Sequence, residues 1–213
     1  MQAGRVWLFD LDNTLHNASP HIFPHINRSM REYIERHLGV DAHEATRIRQ
    51  DYWVRYGATL LGLMRHHGTD PRHFLWETHQ FPDLPRMVVF DKPLRQALRR
   101  LPGRKIIFSN APRHYTEAIL DITGLGPYFD AIYSVENVGF QPKPMFAGFR
   151  ALLRAERLDP KQCIMVEDSL ANLVSSKRLG MKTVWVNSGS RQSPFADVKI
   201  AHVRQLPNRC GRL

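Results

Sequence analysis

Val6-Trp7-Leu8-Phe9-Asp10-Leu11-Asp12-Asn13-Thr14 carries the reading of the fold: an unbroken apolar run, then two aspartates one residue apart. The run is too short for a helix and has no polar position to turn to water. It therefore reads as a strand buried on both faces. Residues 105–108, 131–133, 163–166 and 183–186 read the same way, each rich in β-branched or aromatic side chains and bounded by turn formers. Amphipathic segments at 113–123, 145–156 and 170–179 separate the later runs. Gly124 and Gly180 stand where two of them stop, and Pro112, Pro144 and Ser169 stand at starts. Such alternation predicts an α/β fold, a doubly wound, Rossmann-like parallel sheet with helices on both faces.

The first strand breaks that rhythm. No further strand is expected until about Ile106, and the intervening patterns are helical, at 24–38, 42–56, 58–67 and 71–79. Asp41 and Glu44 make a capping box for the second of these. Pro82 and Pro85 punctuate the return, and a helix near 91–101 leads into the second strand. The expected organisation is a core of residues 1–18 and 86–213 with a small all-helical cap, 19–85, inserted after strand one. Beyond about Pro194 the sequence carries no clear signal, and the tail is expected to pack loosely.

Composition narrows the classes. Of 213 residues, 43% are hydrophobic and 23% charged, as in globular domains rather than disordered chains. No apolar run approaches the roughly 18 residues that a membrane span needs. The short apolar start, closed at once by Asp10 and Asp12, is not a secretory signal. Cys163 and Cys210 alone support neither a disulfide framework nor a zinc site, and with a leaderless start they point to the cytoplasm. The net charge of +10 favours anionic partners such as nucleotides, phosphorylated metabolites or nucleic acid. An arginine-rich proteome explains the same charge with no partner at all.

Chemistry-bearing residues gather just after the strands, where open α/β sheets bind ligands. Strand one ends in Asp10, Asp12 and Thr14, strand two in Ser109-Asn110, strand four in Glu167-Asp168-Ser169, and Lys143 follows strand three. Each alone serves as a helix cap or a solvated charge. As a set in this order they do more. Asp10, Asp12 and Asp168, brought close, would repel one another, and an all-oxygen site relieved by a divalent cation selects Mg²⁺. Lys143 and the Ser109 hydroxyl suit phosphate oxygens, leaving a carboxylate nucleophile before a charge-neutralised phosphate.

On these segments the chain resembles the haloacid dehalogenase superfamily, on its phosphatase side, over about residues 5–190. The first motif, Asp-x-Asp-x-Thr, matches Asp10, Asp12 and Thr14; the others match Ser109, Lys143 and Glu167-Asp168. The resemblance implies that Asp10 attacks phosphorus to form an aspartyl-phosphate, and that Asp12 acts as general acid and then general base. It implies Mg²⁺ held by Asp10, the Asp12 main-chain carbonyl and Asp168, phosphate bound by Ser109 and the Asn110 amide, and Lys143 steadying Asp10. Thr14 would order the loop by hydrogen bonding, with Glu167 supporting the metal site. Some members carry an acid where this chain has Asn172, which leaves Asn172 to orient a metal-bound water. The Asp12 carboxylate argues against dehalogenation, which has no leaving oxygen to protonate.

The cap segment from Asp51 to Leu63 is similar to that of the superfamily's pyrimidine 5′-nucleotidases, which implies a nucleotide such as UMP or CMP as substrate. Tyr52 and Tyr56 share a helix face, so a ring there either stacks on a base or packs the cap's own core; Arg65, with His66 and His67, would meet a base edge or ribose. Alternatives stay open: a phosphatase for sugar phosphates, phosphoglycolate or another small metabolite, a phosphomutase, or a non-catalytic module that binds nucleic acid or a protein. The scattered arginines form no recognised nucleic-acid motif, which argues against that last class. A monomer or a homodimer fits the sequence equally.

Overall fold

The computed structural model describes residues 4–209 and 211; Met1–Ala3, where the reading of the leader begins, and Cys210 lie outside them. The chain divides into two compact units, Met1–Asn17 with Val89–Leu213, and Ala18–Val88.

The first unit is the doubly wound α/β fold. Its strands are β1 (Val6–Phe9), β2 (Arg104–Phe108), β3 (Ala131–Tyr133), β4 (Cys163–Glu167), β5 (Lys182–Val186) and β6 (Val198–Ile200). They form one sheet in the order β3-β2-β1-β4-β5-β6, with every pairing parallel. The chain walks outward from β1 to β3, then returns across β1 to place β4 on its other side. Strand order therefore reverses at β1 and β4, the crevice where such sheets take ligands.

β1 is buried at all four positions because both faces of the sheet are covered. Val6 and Leu8 join Ile106, Phe108, Phe149, Met165 and Leu173 in one core cluster. Trp7 and Phe9 point the other way; Trp7 donates its Nε1–H to the Pro102 carbonyl at 2.8 Å, and Phe9 meets Phe129 edge-on.

The tail corrects the expectation of loose packing. Val198 and Ile200 are buried in β6, and a 3-10 turn over Val203–Asn208 buries Val203 and Leu206. Three residues with Lys199 between two apolar ones are too few to register as a period. Tertiary contacts supply what the pattern lacks: Asp197, beside β6, accepts from the Thr183 N–H and hydroxyl on β5.

The second unit is helical: α1 (Ile22–Leu38), α2 (Ala42–Tyr56), α3 (Thr59–His67), α4 (Pro71–Thr78) and a one-turn α5 (Leu84–Met87) that the two prolines concealed. Asp41 caps α2 by accepting the Glu44 N–H at 2.8 Å. Gly62 has no room for a side chain, since a Cβ there would lie 2.2 Å from the Tyr52 ring. Its absence lets α2 and α3 close on each other. The helices of the first unit are α6 (Leu94–Arg100), α7 (Arg113–Thr123), α8 (Phe146–Ala155) and α9 (Leu170–Arg178). Among the described residues no helix is long and apolar enough to cross a membrane.

Candidate active site

The loops at the carboxyl ends of β1 and β4, with Lys143 from the segment before α8, build one charged centre. Lys143 is 1% exposed, and its Nζ donates to Asp10 Oδ1 at 2.7 Å and to Glu167 Oε2 at 2.9 Å. Burial alone would lower the lysine pKa; the Asp10 and Glu167 charges beside it outweigh burial and raise it, so the ammonium persists. Burial, then the neighbouring Glu167 charge, pushes Asp10 up to about 7 against the pull of Lys143. Burial likewise carries Glu167 up to about 7 and raises Asp168. One ammonium thus serves an excess of carboxylates.

Glu167 is fully occupied. Its Oε1 accepts the N–H groups of Asp168 and Ser169, both at 3.1 Å, and its Oε2 accepts Lys143 and, at 3.0 Å, Asn172 Nδ2. Asn172 thereby holds Glu167 through its side-chain N–H. Ser169 holds the N-cap position of α9 without capping through its side chain; the Glu167 carboxylate covers that helix start instead.

Asp10 Oδ2 is the contrast: a buried carboxylate oxygen with no hydrogen-bond partner among the described residues. Carboxylate oxygens of Asp10, Glu167 and Asp168 all lie within 4.8 Å of one another. An orphaned oxygen in an acid-rich, all-oxygen pocket fits a hard divalent cation, for which Asp10 and Asp168 have ligating capacity that Glu167 has already used.

The residues expected to bind phosphate lie at the end of β2. Ser109 is 2% exposed, and its Oγ accepts the Ala111 N–H at 3.0 Å. Asn110 exchanges two hydrogen bonds with the Lys143 backbone, Nδ2 to the carbonyl at 2.9 Å and Oδ1 from the N–H at 2.8 Å. Its side-chain amide therefore clamps the lysine loop rather than facing a ligand. Thr14 departs from expectation too. Its hydroxyl is buried without a partner among the described residues, and the loop is ordered by backbone bonds from Thr14 and Leu15 to the Leu11 carbonyl.

Two residues of this site were not singled out from sequence. Asp12 Oδ1 accepts the Tyr115 hydroxyl at 2.6 Å and meets His16 Nε2 at 2.9 Å. Both partners are nearly inaccessible, Tyr115 at 1% and His16 at 4%. A lone histidine and a tyrosine in register with Ile119 on an amphipathic helix give no signal that separates them from core. Only the β1–β2 pairing, which sets the start of α7 beside the Asp12 loop, shows the link.

The cap candidates form their own cluster within the helical unit. Tyr52 lies against Gly62 and its hydroxyl meets His67 Nε2 at 2.8 Å; the Tyr56 hydroxyl meets His66 Nε2 at 2.6 Å. The Tyr52 and Tyr56 ring centroids are 5.8 Å apart, and the Arg65 guanidinium stands 5.9 Å from the Tyr56 ring. Tyr52 thus packs between α2 and α3 while staying half-buried. Tyr56 and Arg65 remain as a half-exposed and an exposed side chain beside it.

The structure is a doubly wound parallel sheet with an Asp–Lys–Glu centre at its switch point. A family model described as haloacid dehalogenase-like hydrolase matches residues 5–180, and the chain belongs to that family. Its relatives place it with the family's phosphatases. It is 27% identical over 195 residues to Phosphate metabolism protein 8 of Saccharomyces cerevisiae, covering 84% of this chain and 60% of that protein. It is 24% identical over 208 residues to Validoxylamine A 7′-phosphate phosphatase of Streptomyces hygroscopicus, covering 92% of each. Among solved structures, a HAD phosphatase from Thermococcus onnurineus matches with a TM-score of 0.68 and 24% identity over 97% of this chain and 98% of that one.

Proposed function

We propose that this phosphatase is a Mg²⁺-dependent phosphomonoesterase working through an aspartyl-phosphate on Asp10. The observation that carries the reading is the pairing of Lys143 with Asp10 Oδ1 while Asp10 Oδ2 stays unsatisfied. One oxygen is held by the buried ammonium, which fixes the carboxylate's direction. Mg²⁺, held by Asp10, Asp168 and the Asp12 main-chain carbonyl, would supply charge neutralisation for the phosphate. Asp10 attacks phosphorus, the ester oxygen leaves with its bonding pair, and Asp12 gives that oxygen a proton. Asp12 then takes a proton from the water that attacks the phosphorus of the acyl phosphate, releasing orthophosphate and restoring Asp10. Ser109 and the Asn110 backbone N–H receive the phosphate oxygens, and Lys143 offsets their growing charge.

The helical unit is proposed as the cap that reads the rest of the substrate. We assign it a pyrimidine nucleoside monophosphate, with Tyr56 against the base and Arg65 at its polar edge; the Asp51–Leu63 segment is the support for this. A sugar-like phosphate is the second reading, favoured by the near full-length relative that is named for a 7′-phosphate substrate. Phosphate release from UMP, CMP, AMP, GMP and sugar phosphates, with Mg²⁺ and with EDTA, tests both levels. UMP and CMP should exceed the purine nucleotides in kcat/KM by about 10-fold, the scale of one clash or one lost stack. A preference for sugar phosphates would remove the nucleotide reading, and release that survives full chelation would remove the metal.

A further inference from the structure

We propose that His16 and Tyr115 are positioning residues that anchor one oxygen of Asp12 and so aim its other oxygen as the proton carrier for the leaving group. The inference rests on the reading of Asp12 as general acid. Both partners converge on Oδ1, Tyr115 from 2.6 Å and His16 from 2.9 Å, and they stand 3.5 Å from each other. His16 Nδ1 is buried with no hydrogen-bond partner among the described residues, so the ring proton belongs on Nε2, where it donates to Asp12. Tyr115 also acts as donor, its hydroxyl lying 2.6 Å from Asp12 Oδ1, a carboxylate oxygen that accepts.

An oxygen that already accepts two hydrogen bonds cannot take a proton without losing one. The proton that acid catalysis needs therefore resides on Oδ2. When it passes to the ester oxygen, the electron pair of the broken P–O bond accepts it, and Asp12 is left as a carboxylate. The charge that appears is met at once by two donors already in place, a charge-assisted arrangement that makes Asp12 a better acid. Two donors from different segments also fix the rotation of the carboxyl group. His16 is folded back by the tight loop in which Asn13 adopts φ 62°, with Asp12 and His16 bridged through the backbone. Tyr115 arrives on the first turn of α7.

The test is the dependence of kcat/KM on leaving-group basicity, measured with p-nitrophenyl, phenyl and methyl phosphate. This ratio reports the step in which the ester oxygen departs. Tyr115→Phe and His16→Ala should steepen the fall of kcat/KM with leaving-group pKa. The expected loss is roughly 10-fold or more on methyl phosphate and only about 2-fold on the p-nitrophenyl ester, whose phenolate leaves without a proton. His16→Gln, which restores an N–H donor, should recover most of the slope. Tyr115→Phe removes a single oxygen and keeps the ring, so it supplies the answer even where His16→Ala fails to fold. Losses equal across the three esters, or no loss, would overturn the assignment. Asp12→Asn is the control: if it does not steepen the slope, Asp12 is not the acid and the underlying reading falls.

Discussion

Replacing Lys143 with Met removes a fully buried cation and leaves two buried carboxylates facing each other. At an effective dielectric of about 20, charges 2.7 Å and 2.9 Å apart attract by roughly 6 kcal/mol each. Desolvation of the ammonium offsets much of that, and breaking a buried pair from one side costs about 3–5 kcal/mol. The loss should depend on pH in a defined direction. Asp10 and Glu167 already titrate near 7 with the lysine present, and without it both rise further. At about pH 8 the variant must bury uncompensated charge or take up protons against the solvent, so the full loss applies. At about pH 5 both carboxyl groups are protonated in either protein. The lysine is then a buried cation with no anion, and its replacement should cost little or even stabilise. Urea unfolding of both proteins in EDTA at the two pH values measures this. A loss of the same size at pH 5 and pH 8 would refute the argument that Lys143 is held by charge rather than by packing.

Other outcomes follow from the same geometry. Metal-free wild-type protein should lose stability as pH rises from about 4 to beyond 7, because Asp10 and Glu167 bind protons more tightly folded than unfolded, and that contribution is complete only below their ordinary pKa values; Mg²⁺ should restore part of it at pH 8, read as a rise in Tm. Asp10→Asn should abolish phosphate release while raising Tm at pH 8, since an amide cannot form the acyl phosphate and carries no buried charge. Gly62→Ala should destabilise by about 1–3 kcal/mol in urea unfolding, because a Cβ 2.2 Å from the Tyr52 ring forces α2 and α3 apart.

How much of this was legible in sequence differs by element. β1, β3 and α7 stand where apolar runs and helix punctuation put them, because each carries its own local signal. β6 did not show, since Lys199 interrupts its three residues and its place comes from the β5 backbone it pairs with. The site divides in the same way. Asp10, Lys143 and Asp168 were legible as candidates only as an ordered set following successive strands, since each alone serves equally as a cap or a solvated charge. His16 and Tyr115 were not, for they touch Asp12 only through folding, and neither position looks unlike core. Asn110 and Asn172 were legible as candidates but not in their contacts: Asn110 holds Lys143 and Asn172 holds Glu167. An amide donates and accepts equally well, so its partners cannot be told from its identity.

On the proposed mechanism, phosphate passes through Asp10. Acid quench during turnover with Mg²⁺ and a phosphomonoester, followed by borohydride reduction and peptide mass spectrometry, reads it directly. An acyl phosphate on Asp10 predicts conversion of that one aspartate to homoserine, dependent on substrate and lost in Asp10→Asn. Full turnover with no reduced residue, or reduction at a different carboxylate, would contradict the account.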